Sequence, residues 1–177
     1  MTSLIIVTLS LTSIISNTQQ ENFDFKDLKF RGLDFNSTER AIVKSFGKGK
    51  KVSVKYNDCG EGFSSDRGQF YKLNYNGFTF RGNDKEGYFL ESVNFDVAGK
   101  IKITYKGNVF SGLTTKPKLL TALGKVNPEE SFFSDPIEPG VESIIVGAEP
   151  YDNGVKFTLK NGQLIRFNYW ESCNGGE

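Results

Sequence analysis

The chain has 177 residues, 37% of them hydrophobic and 14% aromatic, with 22 basic and 21 acidic side chains and no histidine. A net charge of +1 argues against a general nucleic-acid or polyanion binder, although an average can hide a segregated distribution. The lack of histidine removes the commonest general base, the commonest zinc ligand and the usual physiological pH switch, so no metal, cofactor or catalytic residue is expected.

The chain opens on an uncharged apolar run, Leu4 to Ile15, too short to span a bilayer comfortably. Ser16, Asn17 and Thr18 then supply small residues of the kind a signal peptidase accepts, so residues 1–18 read as a signal peptide, although no Lys or Arg precedes the run. The expectation is a soluble periplasmic or secreted protein, a monomer without a transmembrane segment. Cys59 and Cys173 both lie in Gly-containing loops beyond predicted strands. An oxidising compartment favours a disulfide between them. Closing so long a loop is worth on the order of 4 kcal/mol in the chain-entropy model.

Residues 23–33 lead into a helix start, with Asn36, Ser37 or Thr38 as cap and Glu39 in the first turn. Ile42, Val43 and Phe46 form an apolar face, and Gly47 stops the helix. The period then changes to two, giving strands over 51–56, 69–75, 78–81 and 88–95, with Asn76-Gly77 as a tight turn. Residues 100–106 continue the sheet or bridge to a second unit. There Thr114-Thr115-Lys116-Pro117 opens a helix with Leu119, Leu120 and Leu123 as its face and Gly124 as its stop. Pro128, Pro136, Pro139 and Gly140 mark a loop, followed by strands over 141–146, 155–159 and 163–170, the last two joined by Asn161-Gly162.

Two motifs recur at one spacing. Gly47 and Gly124, ending the helices, are 77 residues apart, as are Gly77 and Gly154 in Asn-Gly pairs. Shared spacing across different motifs predicts duplication of a unit, residues 23–97 and 98–173, as two small domains side by side. The predicted class is α+β: two tandem repeats, each a short helical segment followed by an antiparallel meander.

The turn Phe30-Arg31-Gly32, the capped helix ending in Phe46-Gly47-Lys48, and the closing hairpin around Asn161-Gly162 resemble the helix-then-sheet unit of small outer-membrane lipoproteins of the SmpA/OmlA type. Tandem pairing of such units is similar to the beta-lactamase inhibitory protein type. The resemblance implies a noncatalytic exported or envelope protein with a curved sheet used for protein binding. It carries over no specific target, and the lipidated cysteine of such lipoproteins has no counterpart here.

Strict alternation along the strands gathers Val52, Val54, Leu73, Phe78, Phe80, Phe89, Val93, Phe157, Ile165 and Phe167 on a core face. The opposite face gathers Lys51, Lys72, Arg81, Tyr88, Lys156, Lys160, Arg166 and Trp170, while acids concentrate in loops. Lys and Arg solvate an open sheet face and discourage edge pairing. Yet Arg, Tyr and Trp are also the usual interface anchors. Lys72, Arg81, Tyr88, Lys156, Arg166 and Trp170 are therefore the candidate partner-binding set, for an acidic protein recognised by an inhibitor- or immunity-like module. Two alternatives stay open: an envelope structural component or anionic-glycan binder using the same face, and a hydrolase using paired carboxylates.

Overall fold

The computed structural model describes residues 23–54, 69–96, 98–124, 132–134, 138–148 and 153–171. The segment read as a lead-in to the first helix is a hairpin there. Strands β1 (Leu28–Phe30) and β2 (Leu33–Asp34) pair around Arg31-Gly32, whose φ values of 49° and 81° suit a tight hairpin turn with both central residues left-handed. A short strand β3 (Asn36–Ser37) leads to helix α1 (Glu39–Phe46), then β4 (Lys50–Val54), β5 (Phe70–Tyr75), β6 (Phe78–Asn83) and β7 (Gly87–Asn94). The second half runs β8 (Ile103–Tyr105), β9 (Asn108–Phe110), α2 (Lys116–Leu123), β10 (Phe132–Ser134), β11 (Val141–Ala148), β12 (Asn153–Lys160) and β13 (Gln163–Glu171).

Both helices end as their sequences require. Thr38 caps α1, its Oγ1 accepting from the Ala41 N–H at 3.3 Å, and the Gly47 N–H closes the helix on Val43 O at 2.8 Å. Thr115 precedes α2 without a side-chain cap bond, Pro117 lies in the first turn, and Gly124 closes on Leu120 O at 3.1 Å.

The strands form two sheets, not one sheet per half. Four strands in the order β2-β1-β8-β9 make a small sheet, and nine make a large one, β10-β11-β12-β13-β7-β6-β5-β4 with β3 added beside β7. The halves join twice, through antiparallel β1–β8 and antiparallel β7–β13. This corrects the α+β expectation of tandem helix-plus-meander repeats. Among the described residues strand far outweighs helix, the two α-helices have only eight residues each, and the meanders fuse edge to edge. Three-residue strands such as β1 and β8 are too short to show a period of two, which is why they read as a lead-in and a bridge. The expected equivalence of Gly77 and Gly154 also fails. Gly77 has φ 87° in the β5–β6 turn, whereas Gly154 lies within β12, paired with Gly147 and Trp170.

One core lies between the layers. The large sheet contributes Leu73, Phe78, Phe80, Leu90, Val93, Ile144, Val155, Phe157, Leu159, Leu164 and Phe167. Against it pack Ile42 of α1, Leu119 and Leu123 of α2, and Leu28, Phe30, Ile103, Tyr105 and Phe110 of the small sheet. Aromatic rings bridge the layers: Phe30 meets Phe78 edge-on at 4.8 Å, and Phe110 meets Phe157 edge-on at 5.8 Å. Buried phenylalanines such as Phe30, Phe78, Phe80, Phe110, Phe157 and Phe167 thus do what longer helices do elsewhere.

Two bulges fix the face each strand presents. Thr79 pairs with Ser92 but Phe80 with Leu90, leaving Glu91 as the extra residue of β7. Thr158 pairs with Arg166 but Leu159 with Leu164, leaving Ile165 as the extra residue of β13. Beyond each bulge the alternation inverts.

Candidate functional site

Directly paired residues share a face, so the register sets out what the large sheet carries on the side away from the helices. One row runs Lys72, Arg81, Phe89 across β5, β6 and β7. A second runs Lys50, Asn74, Thr79, Ser92, Asn168, Lys156, Ile145. A third is Asn94, Arg166, Thr158, Ser143, and a fourth is Trp170, Gly154, Gly147. Five of the six predicted partner-binding residues, Lys72, Arg81, Lys156, Arg166 and Trp170, therefore stand on this outer face.

Tyr88 does not. It is fully buried on the core side, beside Gly82, because the bulge at Glu91 inverts the alternation between Val93 and the start of β7. Phe89, expected in the core, faces outward for the same reason. The alternation of β4 is inverted too. Val52 pairs with outward Lys72 and is 38% exposed, while Lys51 pairs with inward Leu73.

Of the cations of the outer face, Lys50 stands at the β4 edge and Lys160 is paired with Glu138 at 2.7 Å, and the other four fall into two groups. Lys72 and Arg81 share Glu91: Lys72 Nζ lies 3.0 Å and Arg81 Nε 3.5 Å from its Oε1. Arg81 also lies over the Phe89 ring at 5.0 Å, and its side chain is only 18% exposed. Lys156 and Arg166, on adjacent strands, are exposed. Arg166 Nε donates to Asn94 Oδ1 at 3.0 Å, which orients the guanidinium without neutralising it. Trp170 lies across the backbone of β12: a Cβ placed at Gly154 would come within 3.0 Å of its Nε1, whereas one at Gly147 would meet nothing within 4 Å. The Trp170 Nε1 is inaccessible to water and has no hydrogen-bond partner among the described residues. Sequence reasoning missed Glu91, Asn94 and Asn168. An acid inside an otherwise neutral or basic strand was the available signal for Glu91.

A second polar cluster closes the edge of the core at the start of α1. Lys51 Nζ sits 2.6 Å from Glu39 Oε2 and 3.8 Å from Asp84 Oδ1, and 4.4 Å above the Tyr71 ring. The Tyr88 phenol oxygen lies 3.2 Å from Glu39 Oε2 and 3.1 Å from Asp84 Oδ1, so its one O–H can donate to either carboxylate. Burial pushes the Tyr88 phenol up to about 12, with Lys51 opposing and Asp84 and Glu39 reinforcing. Burial works against the charge on Lys51, but its bonds to Glu39 and Tyr88 outweigh that and hold the ammonium above its ordinary range. A cleft of about 400 Å³ lies alongside, between residues 36–40 and 83–87. Its floor is tied by Asn83 Oδ1, which accepts from the N–H groups of Lys85 and Glu86 at 2.9 and 2.7 Å. Glu39 is thus already engaged by two partners within the fold.

Cys59 and Cys173 lie outside the described residues, as does the predicted signal peptide. Among the described residues no three His, Cys, Asp or Glu side chains are grouped to hold a metal ion, and no helix is long and apolar enough to cross a membrane. No protein-family model, no curated protein and no solved structure matches the chain.

Proposed function

We propose that this protein is an exported, noncatalytic binding module that recognises an acidic protein through the outer face of its large sheet, in the manner of an inhibitor or immunity protein. The supporting observation is the placement of Lys72, Arg81, Lys156, Arg166 and Trp170 on one face, opposite the core and away from both helices. The face carries one tryptophan and two arginines, the residue types most enriched among interface anchors. Cations there steer an acidic partner at low ionic strength.

The test is paired affinity capture from the fluid or envelope fraction surrounding the native protein. Wild type is compared with a variant carrying Lys156→Glu, Arg166→Glu and Trp170→Ala. The wild type is expected to retain an acidic protein that the variant releases, with retention falling between about 50 and about 300 mM salt as charges are screened. Identical retention by both forms, or none by either, overturns the proposal.

A further inference from the structure

Resting on that reading, we propose that the docking centre is confined to the Lys156, Arg166 and Trp170 end of the face. Its occupant is an extended protein segment presenting a carboxylate two to four residues from an apolar side chain. Three observations carry this. The first is a partition of charge. Glu91 already serves Lys72 and Arg81, whereas no carboxylate of the described residues lies within 4 Å of Lys156 or Arg166. An incoming carboxylate gains most where no internal one competes for the cation.

The second is spacing. Lys156 and Arg166 are diagonal neighbours across β12 and β13, because Lys156 pairs with Asn168 and Thr158 with Arg166. Diagonal neighbours stand roughly 7–8 Å apart, close enough to share one carboxylate between their long side chains. Trp170 pairs with Gly154, two residues from Lys156, and lies four residues beyond Arg166. At about 3.3 Å per residue those separations are roughly 7 and 13 Å, the reach of two and four residues of an extended segment.

The third is the floor beside the indole. Gly147 and Gly154 are paired next to Trp170, and no side chain of the described residues fills the space above Gly147. Bare backbone there forms a shelf on which an apolar side chain can lie against the indole. Two such cations side by side, with Glu91 on the strand between them and Lys50 at the β4 edge, are too few for a polyanion such as a sulfated glycan, whose binding grows with each charge neutralised. They suffice to orient one or two carboxylates of a protein.

Three probes test this: a twelve-residue peptide in which leucine and glutamate take turns at every second position with serine between them, so that both stand on one face of the extended chain, the same peptide with lysine for glutamate, and heparin. Binding is followed by the fluorescence of Trp170, the only tryptophan, and by its indole N–H resonance. The Leu/Glu peptide is expected to bind and the Leu/Lys peptide not. Lys156→Glu and Arg166→Gln should each weaken binding about tenfold, as loss of a charge-assisted contact does, while Lys72→Glu should change it less than about twofold. Thermal melts show whether each variant is folded. Equal losses from Lys72→Glu and Lys156→Glu would overturn the partition yet leave the protein-binding face standing. No binding of the Leu/Glu peptide at about 1 mM (about −4 kcal/mol) would overturn the docking centre, while affinity capture of a native partner still decides the broader reading. Heparin bound more tightly than the peptide would overturn both in favour of a glycan ligand.

Discussion

Replacing Tyr88 with phenylalanine separates the phenol from the packing of its ring. The ring is fully buried, so Y88F should keep the fold and lose only the phenol's contacts with Glu39, Asp84 and Lys51. Glu39 keeps Lys51, and the Asp84 side chain is 72% exposed and regains water, so the cost near pH 7 is expected to be about 1 kcal/mol. The pH dependence is more telling. Burial, aided by Asp84 and Glu39 and opposed by Lys51, raises this phenol from 10.0 to about 12. Between those values the folded protein keeps a proton that the unfolded chain releases. The contribution is therefore complete below pH 10 and is lost as pH rises towards 12. Two units amount to at most about 3 kcal/mol, and screening on the Asp84 side brings this to about 2. Lys51 loses its own contribution in the alkaline range in both proteins. Urea melts followed by circular dichroism from pH 7 to 11.5 should show wild type ahead by about 1 kcal/mol up to pH 9, with the gap closed or reversed by pH 11.5. A gap that stays constant from pH 8 to 11.5 refutes the reasoning.

Other substitutions probe the backbone and the outer face. Gly82→Ala would place a Cβ 2.0 Å from Gly87 O and 2.7 Å from Tyr88 Cα, both backbone atoms, so thermal melts should show a loss of about 3 kcal/mol or no folded protein. Gly162→Ala meets nothing within 4 Å and suffers only its φ of 75°, for a loss of about 1 kcal/mol, and equal damage at the two glycines would contradict the tight backbone approach at Gly82. Phe157→Ala, at the centre of the interlayer aromatic contacts, should cost about 3–5 kcal/mol by urea titration. Trp170→Phe removes an N–H without a partner among the described residues, recovering about 1–3 kcal/mol against the lost ring area, so stability should change by less than about 1 kcal/mol. A loss above about 2 kcal/mol would show that the indole N–H is bonded after all.

The helix boundaries were legible because their signals are local. Thr38, Gly47, Pro117 and Gly124 each act within one turn, and the structure ends both helices where those residues predict. The hairpin at Asn161-Gly162 was legible for the same reason. What the sequence hid depends on partners distant in the chain. That β7 pairs with β13, and β1 with β8, follows from no local pattern, and so the two meanders read as separate sheets and not as one. The face assignment shows how far one hidden residue can reach. Strict alternation predicted most of the outer cations correctly, but the extra residue Glu91 turned Tyr88 inward and Phe89 outward. It also set a carboxylate against Lys72 and Arg81. A bulge is a property of two strands in register, invisible in either alone. At this face it decides that Lys72 and Arg81 are already satisfied, and so leaves Lys156 and Arg166 as the adjacent pair of cations with the most to gain from a partner.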